Sequence, residues 1–220
     1  MISVAIDGPA GAGKSKIAKA SAKKLGYVYV DTGALYRTVG LHMVKNGISS
    51  ENADAVTNAL SDITVDMKHI DGEQRVFLCG EDVSDKIRTE EISMAASNVS
   101  RIPAVRSFLL DLQRSMAEKY NVIMDGRDIA TVVLPNATVK IFLTAAPEKR
   151  AERRLKELLE RGEKADFETI LADIKKRDYN DSHREIAPLK PSEESVIADT
   201  TDLSLEDSKE LIIKIITEAV

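Results

Sequence analysis

The sequence has a single cysteine, Cys79, among 220 residues. One thiol cannot close an internal disulfide, and no cysteine and histidine cluster has metal-ligand spacing. Cys79 is therefore expected to be a small, half-buried hairpin residue without chemistry of its own. No apolar run approaches the length of a membrane span, and the N-terminus lacks the basic and apolar regions of a secretory signal, so a cytoplasmic enzyme is the default expectation. A basic excess is missing as well: 31 Lys and Arg stand against 36 Asp and Glu, a formal net charge of −5. That balance argues against a broad nucleic-acid surface, where many phosphates must be neutralised, but leaves room for a small anion met by a local cluster of cations. Repeats, low-complexity tracts and coiled-coil heptads are absent too, and the length suits one globular domain with an insertion.

What is present begins at Gly8-Pro9-Ala10-Gly11-Ala12-Gly13-Lys14-Ser15, which matches G-x-x-x-x-G-K-[ST] at every fixed position. The apolar run Ile2 to Ile6 before it reads as a buried parallel strand. After it Ile17, Ala18, Ala22 and Leu25 recur at helical spacing until Gly26. Between a strand and a helix, such a loop turns successive N–H groups toward an anion, and the helix N-terminus adds its dipole. Lys14 is then expected at the β- and γ-phosphates of a nucleotide and the Ser15 hydroxyl on Mg²⁺.

Further along, Tyr27 to Asp31 reads as a second strand ending on a carboxylate, followed by a helix that starts at Thr32-Gly33 and closes at Asn46-Gly47. Tyr36 and Arg37 lie in its first turn, near the strand end where open α/β sheets bind ligands. From Ser50 to about Ser100 the texture changes to a helix, alternating strands over 63–67 and 76–78 around a turn at Asp71-Gly72, and a helix from Glu90 carrying Ser97. A helix plus hairpin has no place in a parallel sheet, so this stretch is expected to be an inserted subdomain. Pro103 opens another helix, and Asn121 to Asp125 is a third parallel strand delivering Gly126-Arg127-Asp128. An Asp at a strand end beside a phosphate loop suits holding Mg²⁺ through water, which nominates Asp125. Strands over 139–143 and 195–199 and a helix capped by Ser204 complete the pattern of an α/β domain, a parallel sheet of about five strands covered on both faces. Between those last strands Pro147 begins a helix bearing Arg150, Arg153, Arg154 and Arg161. After a break at Gly162 a second helix places Arg177, Asp181 and Arg184 at i, i+4 and i+7 on one face.

Several reactions share such a loop. A GTPase switch would carry N-K-x-D, which is absent, and a motor or helicase would need more chain. Phosphoryl transfer to a small acceptor fits the size, the insertion and the arginine-rich flap. A kinase of the same fold acting on UMP, shikimate or a sugar acid, and a nucleotide-binding regulatory module without turnover, are the competing readings.

The stretches Asp7-Gly-Pro-Ala-Gly-Ala-Gly-Lys-Ser15, Val30-Asp-Thr-Gly-Ala-Leu-Tyr-Arg37, Met124-Asp-Gly-Arg-Asp-Ile129, Val139-Lys-Ile-Phe-Leu143 and Arg184-Glu-Ile-Ala-Pro-Leu189 resemble, in order, the motifs of the bacterial cytidylate kinases. The segment between Ser50 and Ser100 resembles an extension that the shorter eukaryotic UMP/CMP kinases lack. Two positions depart from the usual wording: Ala130 stands where Gly is common, and Lys16 where Thr is common. The resemblance implies a single P-loop kinase domain over 1–220, with a core of 1–49 and 101–220, a nucleoside monophosphate-binding insertion of about 50–100 and a short lid of about 150–165. It implies transfer of a phosphoryl group from MgATP to CMP or dCMP by a cytoplasmic monomer, with no nucleic-acid or membrane partner. ATP would lie on Gly8 to Lys16, and Mg²⁺ on Ser15 and, through water, Asp125. Arg37 and Arg127 would take the acceptor phosphate, with Thr32 and Tyr36 in the same pocket. Lid arginines such as Arg150 and Arg154 would close over the transferring group. Ser97, Arg106, Asp128 and Arg184 would surround the base, and Arg177 and Asp181 would meet the sugar. Lys14, Arg37, Arg127, Arg150 and Arg154 are the expected catalytic set.

Overall fold

The structure, a computed structural model, describes residues 1–70 and 72–220. Its main sheet has five strands, β1 (Ser3–Asp7), β2 (Val28–Asp31), β6 (Val122–Gly126), β7 (Val139–Thr144) and β8 (Val196–Asp199), in the order β2-β6-β1-β7-β8. β1 pairs in parallel with both β6 and β7, and β7 with β8. A strand flanked on both sides and covered on both faces must be apolar throughout, and Val4, Ala5 and Ile6 are fully buried. Helix α1 (Lys14–Leu25) follows the glycine-rich loop and ends on Gly26 in the left-handed conformation. α1 packs with α8 (Leu205–Ala219), where Ile17, Ala18, Ile212 and Ile216 join Ile6 and Ile141 in one core; each fully buried Ile contributes roughly 1.5–3 kcal/mol. Ser204 caps α8 by accepting the Asp207 N–H at 3.1 Å.

The chain divides into two compact units, Met1–Tyr29 with Tyr120–Val220, and Val30–Lys119. The first also holds α6 (Pro147–Glu160) and α7 (Phe167–His183), which pack together. The second holds α2 (Thr32–Lys45), α3 (Ala53–Ala59), α4 (Glu90–Val99), α5 (Pro103–Lys119) and a separate antiparallel sheet. That sheet consists of β3 (Val65–Ile70), β4 (Glu73–Leu78) and β5 (Glu81–Asp82), so the expected hairpin carries a third short strand. The turn expected at Asp71-Gly72 includes Asp71, which lies outside the described residues. α2 and α4 approach closely because residue 40 is glycine: a Cβ there would sit 3.0 Å from the Ala96 backbone nitrogen.

Two expectations are corrected, and one departure is explained. Cys79 is exposed, not half-buried, because its left-handed backbone (φ +49°) begins the turn between β4 and β5. α7 stops at His183, and Arg184 follows in an extended conformation (φ −68°, ψ 143°), so Arg184 leaves the helical face shared by Arg177 and Asp181. Ala130 does not take the left-handed conformation a glycine would permit. It lies in a π-helical turn, Ile129–Val133, where Leu134 N–H reaches back to the Ile129 carbonyl at 2.7 Å.

Candidate active site

The register of the main sheet sets the site. Asp7 faces Gly126 and Ile6 faces Asp125, so the loop after β1 and the Gly126-Arg127-Asp128 turn after β6 emerge side by side at the carboxyl ends of the strands. Gly8 adopts φ +149°, and a Cβ there would fall 1.9 Å from the Leu143 carbonyl oxygen. Only glycine lets the chain turn so close to β7. Gly11 and Gly13 are left-handed as well, and Gly13 immediately precedes α1.

Lys14 is buried and folds back over the loop, its Nζ donating to the Gly8 and Pro9 carbonyls at 2.7 Å each. Burial, and next the positive charge of Arg127, lower its pKa. Ser15 Oγ donates to Asp125 Oδ2 at 2.8 Å, and Tyr29 OH to Asp125 Oδ1 at 2.9 Å. The hydroxyl of Ser15 and the carboxylate of Asp125 are thus adjacent, as the sequence predicts. Tyr29, absent from the expected set, holds the other carboxylate oxygen. Among the described residues no three His, Cys, Asp or Glu side chains gather into a metal cage.

Asp7 sits beneath the two loops. Its carboxylate accepts the Ile129 and Ala130 N–H groups at 2.8 Å each, tying the β1 end to the turn after β6. Burial raises its pKa to about 6 against 3.8 in the open chain, although both hydrogen bonds pull the other way. The sign follows from proton uptake. Between these values the folded protein binds more protons than the unfolded one, so the contribution is complete below pH 3.8 and is lost as pH rises through 6. Relative to Asp7→Asn, the ligand-free wild type should lose about 2 kcal/mol between pH 4 and pH 7. Urea midpoints of both proteins at the two pH values measure this; a constant difference would refute it.

Three arginines of this unit, Arg127, Arg150 and Arg184, are matched with aspartates. Arg127 Nε donates to Asp181 at 2.9 Å, and its NH1 to the Gly126 carbonyl at 3.2 Å. Arg184 lies 3.5 Å from Asp128, both side chains almost wholly buried. Arg177 is half-buried, and burial lowers its pKa. Arg150, expected over the transferring group, is buried. Its Nε donates to the Ala145 carbonyl at 2.8 Å, and NH1 donates to Asp178 and to the carbonyl of Ala10 in the loop, both at 2.9 Å. Arg154, one turn on, is exposed and donates to Glu157 at 3.0 Å, where Lys16 also donates at 3.2 Å.

The second unit carries its own cluster. Arg37 NH2 donates to Asp31 at 2.8 Å, and the missing side chain of Gly33 leaves room for the pair, since a Cβ there would lie 3.0 Å from Arg37 NH1. Arg106 lies over the Tyr36 ring at 5.9 Å, Thr32 is buried, and Ser97 is half-buried on α4. Sequence reasoning thus named the cations but not their partners Asp31 and Asp178.

The cytidylate kinase family matches this chain over residues 4–218. A cytidylate kinase of Caldicellulosiruptor bescii is 49% identical over 219 residues, covering 100% of this chain and 97% of its own. One of Caldanaerobacter subterraneus is 50% identical over 213 residues (96% and 92%), and one of Lactobacillus johnsonii 48% over 216 (98% and 94%).

Proposed function

The chain belongs to the cytidylate kinase family, which makes it an ATP-dependent kinase of CMP and dCMP in pyrimidine nucleotide metabolism, and from that premise we propose how its residues divide the work. The acceptor is a phosphate oxygen of CMP, anionic at neutral pH, so no general base is required. Its bond to the γ-phosphorus forms as the bond from that phosphorus to the β–γ bridging oxygen breaks, leaving ADP. The obstacle is repulsion between two anions, and the residues answer it with converging cations.

The N–H groups from Gly8 to Lys16 bind the phosphates of ATP, and Lys14 swings from its own loop carbonyls to the β- and γ-oxygens. Ser15 and Asp125 are hard oxygen donors already 2.8 Å apart, a pair that fits Mg²⁺, Asp125 through water; triphosphate and water oxygens would complete the shell. The ion, when bound, neutralises charge on the phosphate oxygens. Arg37 and Arg127 take the acceptor phosphate, with Thr32 and Tyr36 beside it. Ser97, Arg106, Asp128 and Arg184 read the base, and Arg177 and Asp181 the sugar. Asp128 accepts from the cytosine N4 amino group, a donor that uracil lacks, and Arg184 supports it. The segment 50–100 is the acceptor-side insertion, residues 150–165 are the lid, and the enzyme works as a cytoplasmic monomer; these follow the family resemblance.

The observation that carries this reading is the adjacency, at the ends of β1 and β6, of the phosphate loop, the Ser15–Asp125 pair and the buried Arg184–Asp128 pair. ADP release from MgATP is measured with CMP, dCMP, UMP, AMP and shikimate offered separately, for the wild type and Asp128→Ala. Turnover with CMP and dCMP alone, and loss of the preference over UMP in the variant, are expected. Turnover with a different acceptor, or a variant that still rejects UMP, would overturn the pocket assignment.

A further inference from the structure

Strand β4 alternates, and its positions 74, 76 and 78 face the same way. Val76 and Leu78 are buried there, so the period places an apolar residue at 74 as well. The residue is Gln74, and a half-buried amide on a core-facing position needs partners for both its donor and its acceptor. It finds both on one residue. The Asp31 N–H donates to Gln74 Oε1 at 2.7 Å, and Gln74 Nε2 donates to the Asp31 carbonyl at 3.2 Å. The side chain thus mimics a strand neighbour for a single residue 43 positions away.

Asp31 is the residue on which Arg37 depends. Its Oδ1 caps α2 by accepting the Ala34 N–H at 3.0 Å, and its Oδ2 accepts from Arg37 NH2 at 2.8 Å. With the backbone held by Gln74 and one oxygen fixed by the helix cap, the remaining oxygen has a single place to be. The Arg37 guanidinium inherits that place, and its Nε is buried without a partner among the described residues.

We infer that Gln74 is a positioning residue for phosphoryl acceptance: through Asp31 it holds Arg37 where the acceptor phosphate arrives. The inserted three-stranded sheet therefore has a task in catalysis besides enclosing substrate. The inference rests on the proposed role of Arg37, and the test separates the two.

CMP and cytidine affinities are measured by calorimetry and by competition for wild type, Gln74→Ala, Gln74→Glu, Arg37→Ala and the double variant Gln74→Ala/Arg37→Ala, with KM for ATP alongside. Gln74→Ala should weaken CMP binding about tenfold, the scale of one well-made hydrogen bond, while cytidine affinity and KM for ATP stay unchanged. Gln74→Glu, which loses the donor and sets a carboxylate against the Asp31 carbonyl, should do at least as much harm. In the Arg37→Ala background Gln74→Ala should have no further effect. Equal loss for CMP and cytidine would mark Gln74 as merely structural and overturn the inference. A Gln74 variant with unchanged CMP affinity would do the same while leaving the role of Arg37 intact. Unchanged CMP affinity in Arg37→Ala would overturn both.

Discussion

Replacing Lys14 by alanine is expected to lower kcat about 10³-fold while ADP still binds and the fold persists. In the ligand-free protein the hydrogen bonds of the ammonium among the described residues go to two carbonyls of its own loop, at 2.7 Å each. Those bonds are easily exchanged for phosphate oxygens. Burial and Arg127 together press its pKa down, so the site favours the charged form most once an anion has arrived. Charge on the oxygens between the β- and γ-phosphates grows as the bond to the leaving ADP breaks, and a cation placed there is worth more in the transition state than in the ground state. Loss of such a group removes about 3–4 kcal/mol of barrier stabilisation. The backbone N–H groups of the loop remain, which is why ADP affinity should fall far less than kcat. Lys14→Arg should not rescue, because a forked guanidinium cannot fit where the native side chain is only 5% exposed. Steady-state kinetics with calorimetric ADP binding settle it. A variant whose kcat stays within about tenfold of wild type while KM for ATP rises would mean that Lys14 serves ground-state binding only.

The phosphate loop was legible because its chemistry is local. Glycine spacing, the strand before and the helix after all lie within one short window, and Gly8 against Leu143 shows why the residue type is fixed. Element order was legible for the same reason, down to the Ser204 cap and the stop at Gly26. What sequence periodicity could not supply is the identity of partners across long separations. Tyr29 meets Asp125 from 96 positions away and Arg150 meets Asp178 from 28, and no local pattern announces either. Gln74 did leave a signal, a polar residue on the apolar face of a strand. Arg184 failed differently: helical spacing extends one residue past the last turn of α7, where Arg184 turns extended and the chain bends to a left-handed Ala187. A charge cluster thus reads clearly as a list of cations, and poorly as a geometry.

Arg150 and Arg154 lie one turn apart on α6, and their alanine variants are expected to fail in opposite ways. Arg150 is 3% exposed and joins three segments, the Ala145 carbonyl after β7, the Ala10 carbonyl of the loop and Asp178 of α7. Its removal leaves Asp178 without its partner among the described residues and takes a donor from each of the two carbonyls. Breaking a buried pair from one side costs about 3–5 kcal/mol, and the lower end applies because Asp178 keeps a quarter of its side chain in water. For a chain of this length about 3 kcal/mol corresponds to a fall in Tm of roughly 6–12 °C. The freed Ala10 carbonyl should also raise KM for ATP, whereas KM for CMP changes less. Arg154 is exposed and among the described residues joined by a weak surface pair to Glu157, so Arg154→Ala should move Tm by no more than about 1 °C. In its proposed role at the transferring group, its removal should instead cost about 10²-fold in kcat. Thermal melts and steady-state kinetics on the two variants decide between the roles. An Arg150→Ala protein that melts like wild type but has lost kcat would show that this guanidinium leaves Asp178 and closes over the phosphate during turnover.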